Sequence, residues 1–283
     1  MAKIDELPLR EAVETLSSRP SAFITDIDGT ISRIAPTPDE AGVTRRCRDL
    51  LRDLAARVDL LAAVSGRAAA DARATVGLRE MVYVGNHGLE VWQAGEATAL
   101  PEAAAFAADI AAALREVADD VQKIQGVLCE DKGLTASIHY RLAADPGEAR
   151  ERIIAALQRS PAARRLRWTE GRMVVELRPP ITANKGTAVE MLIRRYALRG
   201  AVYVGDDVTD VDAFRALQRA GRATGVRTLA IGVVAAETPA TVSQHADVTL
   251  VGVAGVESLL AALCENLPPL GPADRRTAGR ATR

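Results

Sequence analysis

Short apolar runs that end abruptly at polar clusters constrain this chain more than any other feature. Ala22-Phe23-Ile24-Thr25 stops at Asp26-Ile27-Asp28-Gly29-Thr30, and Leu60-Leu61-Ala62-Ala63-Val64 stops at Ser65-Gly66-Arg67. The run 81–84 stops at Gly85-Asn86-His87-Gly88, and Val202-Tyr203-Val204 at Gly205-Asp206-Asp207. Runs of this length, apolar on both faces, are strands covered on either side. Helical spacing fills the intervals: Leu50, Leu51, Leu54 and Val58 make 44–58 a helix, with others at 68–76 and from Lys185 to Tyr196. Strands at 229–233 and 247–251 and a helix at 255–265 continue the alternation. Strand alternating with helix predicts an α/β parallel sheet with helices on both faces.

Residues 103–179 follow another rule. A helix (103–118) precedes strand-like stretches at 124–130 and 134–141, and a helix (147–159) precedes two more at 164–169 and 172–178. Leu134, Ala136, Ile138 and Tyr140 alternate against Thr135, Ser137 and His139. Short turns around Asp131-Lys132-Gly133 and Glu170-Gly171 indicate antiparallel pairing. This is an α+β module inserted between core segments 20–102 and 180–267. Residues 1–19, with a helix at 5–18, read as an N-terminal extension. The Pro-, Gly- and Arg-rich tail 268–283 reads as disordered.

Bulk composition removes several classes. Lys plus Arg (36) and Asp plus Glu (37) nearly cancel, and aromatics are 3% of 283 residues. That leaves neither the basic face nor the stacking platforms of a nucleic-acid binder, nor the charge for an acidic membrane surface. Apolar residues at 48% suffice for a sizeable core. Cys47, Cys129 and Cys264 are odd in number and scattered, so a reducing cytoplasm is the expected home. Met1 to Pro20 lacks the apolar stretch of a signal peptide, and no run approaches the ~20 apolar residues of a membrane span. A monomer is expected.

The polar clusters all follow core strands, at the rim where open α/β sheets bind ligands. Asp26 and Asp28, two apart in extended chain, share a face and can address one object. A carboxylate can attack phosphorus covalently while a neighbouring acid protonates the leaving oxygen. A lone Asp-Gly usually marks only a turn, but Asp-x-Asp-Gly-Thr directly after an apolar strand is far more specific. Asp206, Asp207, Asp210 and Asp212 crowd one loop. Like charges ~4 Å apart repel by about 4 kcal/mol at a protein-surface dielectric, so the cluster calls for a cation among it. Hard oxygen donors without His or Cys suit magnesium better than zinc. Ser65, between strand and helix, can bind phosphoryl oxygens, and Lys185 can offset the charge on Asp26 and the phosphoryl group.

The order Asp-x-Asp-Gly-Thr, Ser, Lys, Gly-Asp-Asp-x-x-x-Asp resembles the haloacid dehalogenase superfamily of phosphatases over most of 20–265. The resemblance implies a Rossmann-like parallel-sheet hydrolase core with an inserted, mobile α+β cap. It also implies Asp26 as nucleophile, Asp28 as acid then base, and magnesium held by Asp26, the Asp28 carbonyl and Asp206. Whether Asp207 or Asp210 touches the metal directly or through water stays open. Gly85-Asn86-His87-Gly88-x-Glu90, Glu130-Asp131-Lys132-Gly133, His139-Tyr140-Arg141, Glu176-Leu177-Arg178-Pro179 and Gly205-Asp206-Asp207-x-Thr209-Asp210-x-Asp212-Ala213-Phe214 resemble, more narrowly, the trehalose-6-phosphate phosphatases. The acid usual at the position of Val211 is missing here. That resemblance implies a sugar-phosphate substrate, with sugar hydroxyls bound by Glu130, Lys132 and Glu176. Asn86 and His87 complete the pocket; Arg67 reads either as a phosphate or carboxylate anchor or, more simply, as a structural ion-pair partner. Carboxylates accepting paired hydrogen bonds do match vicinal hydroxyls. Competing readings are a phosphatase of another sugar phosphate (sucrose 6-phosphate, a mannosyl phosphoglycerate), a sugar-phosphate mutase, a signalling receiver domain and an inactive sugar-binding relative.

Overall fold

The structure, a computed structural model, describes residues 6–34, 42–171 and 173–271. The tail beyond Gly271, read above as disordered, lies outside the described residues. The chain divides into two compact units, one from Met1–Ala97 with Ala183–Arg283 and one from Thr98–Thr182.

The first unit opens with α1 (Glu6–Leu16), β1 (Ser21–Thr25), α2 (Arg45–Ala55), β2 (Leu60–Val64), α3 (Ala69–Val76), β3 (Val82–Gly85), β4 (Glu90–Gln93) and β5 (Glu96–Ala99). The chain then makes α4 (Pro101–Ala104), α5 (Ala107–Val121), β6 (Leu128–Asp131), β7 (Ala136–His139), α6 (Pro146–Arg159), β8 (Arg167–Gly171) and β9 (Val174–Arg178). It returns with α7 (Lys185–Arg195), β10 (Gly200–Gly205), α8 (Val208–Thr224), β11 (Arg227–Val234), α9 (Ala240–His245), β12 (Val248–Val251) and α10 (Gly252–Asn266).

Eight strands form one sheet in the order β12-β11-β10-β1-β2-β3-β4-β5. β12 through β3 run parallel, and β4 pairs antiparallel with β3. Every residue of β1, β2 and β10 is buried. The reason lies in the two-residue repeat of a strand. Phe23, Leu61, Ala63, Val202 and Val204 point into one core with Leu16, Leu51, Ala72 and Leu260 from α1, α2, α3 and α10. Ala22, Ile24, Ala62, Val64 and Tyr203 point into the opposite core with Leu192, Phe214 and Val242 from α7, α8 and α9. With both faces covered, hydrophobic patterning cannot alternate, which is why these strands are continuous apolar runs. Helix α1, read as an extension, contributes Ala12 and Leu16 to the first core.

The β4–β5 hairpin was not anticipated. Its reversal uses Ala94 and Gly95 at φ 53° and 98°, and an alanine in the left-handed region carries none of the usual Asn-Gly turn signal.

In the second unit the strands run antiparallel in the order β6-β7-β9-β8. Ala136, Ile138, Val175 and Leu177 pack on Ile110, Val117, Ile153 and Leu157 of α5 and α6. The helix expected at 103–118 is broken at Phe106, whose ring packs against this core. The turn expected at Glu170-Gly171 comes later, because both residues belong to β8 and Met173 takes the left-handed conformation at φ 60°. The first strand spans Leu128–Asp131 rather than 124–130. Thr135 and Ser137, on the polar side of the alternation, are buried as well.

Candidate active site

Strands β10, β1, β2 and β3 are neighbours and parallel, so the polar clusters that follow them lie along one rim. Asp26 leaves β1 with its amide bonded to the Val204 carbonyl of β10 at 2.8 Å. Gly29 then turns at φ 86°, and a Cβ there would lie 2.2 Å from Asp206 Oδ2. Only glycine lets the Asp206 carboxylate come so near the loop after β1. Thr30 Oγ1 donates to Asp206 Oδ1 at 3.2 Å, closing this contact.

Lys185 is set by its helix cap. The Asn184 side chain accepts from the Thr187 amide at 2.9 Å, and Thr187 Oγ1 accepts from the Asn184 amide at 3.0 Å. This reciprocal cap fixes the first turn of α7, where Lys185 sits. Its buried Nζ lies 3.1 Å from Asp26 Oδ1 and donates to Asp210 Oδ1 at 2.7 Å. Burial alone would push the Lys185 ammonium down, but Asp210 and Asp26 outweigh it and raise the group above its ordinary value. For Asp26, burial pushes the carboxyl well up; Lys185 pulls it down, and Asp210, Asp206 and Asp28 push it up again. Burial, with the three neighbouring acids added to it, thus outweighs the one lysine.

Asp26, Asp206 and Asp210 each offer an oxygen within 4.8 Å of the others, all buried. That donor set is hard, and its excess negative charge fits a divalent cation. The three are not equivalent, however. Asp210 Oδ1 accepts from Lys185 Nζ and from Tyr203 Oη at 2.6 Å, and its Oδ2 accepts from the amides of Asp206 and Asp207 at 3.0 and 2.9 Å. A carboxylate has about four acceptor positions, and these bonds use them. Asp210, expected at the metal, is thus engaged in holding the loop that carries Asp206 and Asp207. Tyr203 was missed by the sequence reading. Its signal was a tyrosine inside a fully buried strand, whose hydroxyl must find a partner.

On the β2 and β3 side, Arg67 grips Asp28 through two bonds, Nε to Oδ2 at 2.7 Å and Nη2 to Oδ1 at 2.9 Å. This is pairing within the protein, one of the readings open for Arg67. Ser65 Oγ accepts from the Arg67 amide at 3.2 Å. Asn86 is fully buried and its Nδ2 donates to Glu90 at 2.8 Å. His87 lies over the serine loop, so that a Cβ on Gly66 would fall 2.6 Å from its Nε2.

The second unit carries the other expected residues. Glu130, Ser137 and Glu176 are paired across β6, β7 and β9, which puts them in one row on the sheet face opposite the apolar one. Lys132 Nζ lies 3.6 Å from Glu130 Oε2 and 3.7 Å from Glu176 Oε1. The turn that carries Lys132 is stabilised by the Gly133 amide donating to Asp131 Oδ1 at 2.8 Å. His139 Nε2 is 3.0 Å from Glu130 Oε2, a contact the sequence reading did not assign.

Among known proteins, a family model described as trehalose-phosphatase matches residues 24–250. An uncharacterized glycosyl hydrolase of Mycobacterium tuberculosis is 38% identical over 218 residues, covering 74% of this chain and 16% of that protein. A trehalose-phosphate phosphatase of Mycobacterium marinum is 39% identical over 218 residues, covering 74% of this chain and 54% of the other. The chain thus spans from a sixth to about half of the length of these relatives. The solved C-terminal domain of a C. albicans trehalose-6-phosphate phosphatase superposes with a TM-score of 0.71 at 20% identity, covering 94% of this chain and 98% of that one. No helix among the described residues is long and apolar enough to cross a membrane. The matched segment starts inside β1 and ends inside β12, enclosing every residue of the acidic rim, and the chain belongs to the trehalose-phosphatase family.

Proposed function

We propose that the chain is a magnesium-dependent phosphatase that hydrolyses trehalose 6-phosphate to trehalose and phosphate. The observation that carries the chemistry is Lys185 held between Asp26 and Asp210 in a buried, acid-rich rim. Family membership carries the substrate.

The Asp26 carboxylate attacks phosphorus, and the bond from phosphorus to the sugar oxygen breaks. Asp28 gives that oxygen its proton. Asp28 then takes a proton from water, whose oxygen attacks the phosphorus of the aspartyl-phosphate; the bond to Asp26 breaks, releasing inorganic phosphate. Asp28 begins as a carboxylate clamped by Arg67. A phosphoryl group that draws the guanidinium toward itself frees Asp28 to take up from solvent the proton that it gives to the sugar oxygen, and the later proton from water restores that acid. Ser65 and Lys185 bind phosphoryl oxygens, and Lys185 favours the ionised form of Asp26 that attacks. Asp26, the Asp28 carbonyl and Asp206 would hold magnesium, with Asp207 near it. The ion would neutralise phosphoryl charge and lower the burial cost that raises the Asp26 carboxyl. Asp210 acts behind them, by fixing the loop and the lysine.

Sugar recognition falls to Glu130, Lys132 and Glu176, whose ion-pair distances leave room for hydroxyls to compete. His87 supports recognition on the core side, and Asn86 serves by holding the turn that carries it.

Phosphate release should be measured from trehalose 6-phosphate, sucrose 6-phosphate and glucose 6-phosphate, with magnesium and with a chelator. Fast release from trehalose 6-phosphate alone, lost with the chelator and restored by magnesium, is the expected result. Faster release from another sugar phosphate keeps the Asp26 chemistry and overturns the substrate. No release from any ester returns the receiver-domain or inactive-relative reading.

A further inference from the structure

Glu90 lies outside the chemistry just described, yet it is tied to three parts of the rim. It opens β4, opposite Gly85 at the end of β3. Its Oε1 accepts from Asn86 Nδ2 at 2.8 Å and from the Ala69 amide at 2.7 Å. Ala69 is the first residue of α3, and Ala68 before it gives no side-chain cap. A carboxylate from a neighbouring strand thus satisfies an amide that the helix's own sequence leaves uncapped.

The Asn86 bond matters because of backbone strain. Asn86 and His87 are both left-handed, at φ 49° and 56°. Two consecutive non-glycine residues keep that conformation only when their surroundings hold them. Two amides of the turn bond the phosphate-binding loop, Asn86 N to Arg67 O at 2.7 Å and His87 N to Ser65 O at 2.9 Å. The side chain of Asn86, fully buried, is held by Glu90. The strained turn, the serine loop and the start of α3 are therefore one assembly, and Glu90 joins its parts.

We propose that Glu90 is a positioning residue for phosphoryl transfer: by holding the Asn86–His87 turn and the start of α3, it keeps Ser65 and Arg67 placed for the phosphoryl group. The proposal rests on the phosphatase reading above. It attributes the effect to an acceptor oxygen, not to charge, which separates it from a purely electrostatic role.

The test uses the full chain with magnesium and p-nitrophenyl phosphate, an ester without a sugar. Inorganic phosphate serves as competitive inhibitor, and thermal unfolding is followed alongside. Glu90→Gln keeps a carbonyl oxygen at the same place and should stay within about threefold of the parent. Glu90→Leu should lose about ten- to a hundredfold in kcat/KM and weaken phosphate inhibition, measured well below its own Tm. Where Glu90→Leu does not fold, Glu90→Asp, one methylene short of both donors, should show the same loss in weaker form. Parent-like kcat/KM and phosphate inhibition in the folded Leu or Asp variant overturn the proposal. So does a Glu90→Gln variant as damaged as Glu90→Leu. A parent chain that hydrolyses no ester at all fails the phosphatase reading first and takes this proposal with it.

Discussion

Each of the two units places a lysine between two carboxylates, and the difference between the two arrangements is instructive. In the first unit Lys185 sits 3.1 Å from Asp26 and 2.7 Å from Asp210, with all three side chains nearly inaccessible. In the second unit Lys132 sits 3.6 and 3.7 Å from Glu130 and Glu176, whose side chains keep 25% and 18% of their exposure. The first arrangement is cross-braced: Asp210 also takes Tyr203 and two backbone amides. In the second the lysine–carboxylate distances are too long for hydrogen bonds, and His139 is the close neighbour of Glu130 at 3.0 Å. A buried group that must meet phosphorus at one angle needs the first kind of support. A group that accepts sugar hydroxyls is better served by the second, because carboxylates that keep some exposure and stand farther from their lysine retain acceptor positions for hydroxyls.

The sharpest way to break this comparison is Asp26→Asn. If Asp26 is the nucleophile, turnover falls by about four orders of magnitude or more, with the unfolding transition retained. Next in size are matched lysine replacements. Lys185→Met takes the cation from two buried carboxylates, Asp26 and Asp210, and should cost about 3–5 kcal/mol of stability by chemical denaturation, along with turnover. Lys132→Met, whose partners keep 25% and 18% exposure and can be solvated, should cost clearly less than Lys185→Met while impairing trehalose 6-phosphate use. Equal destabilisation by the two would erase the distinction between the units. Glu130→Ala should lower kcat/KM for trehalose 6-phosphate by about ten- to a hundredfold and leave p-nitrophenyl phosphate nearly untouched, since only the sugar loses a partner. Equal loss on both esters would remove Glu130 from sugar recognition. The smallest effect is expected from Tyr203→Phe. It takes one donor from Asp210 but leaves three, so stability should fall by about 1 kcal/mol, read as a small drop in Tm.

The parallel core was legible because each strand is buried on both faces and so prints as an apolar run, from Ala22 to Thr25 or Leu60 to Val64. The rim was legible for a related reason: a polar cluster directly after such a run can only stand at the sheet's edge. Sequence alone left open whether Asp207 or Asp210 meets the metal, because both are acids in one loop. Only the partners of each oxygen distinguish a support from a candidate ligand. Tyr203 and Glu90 were missed as functional supports because their partners, Asp210 and Ala69, come from other elements. The β4–β5 hairpin went unseen because its turn depends on Ala94 in a conformation that alanine rarely adopts.

The central claim, covalent attack by Asp26, is tested most directly by quenching the enzyme with acid during turnover of trehalose 6-phosphate labelled with radioactive phosphorus. Label retained on the denatured chain, mapped to the peptide containing Asp26 and absent from Asp26→Asn, is the predicted result. Rapid turnover with no label on the chain, or label on a peptide without Asp26, would contradict it.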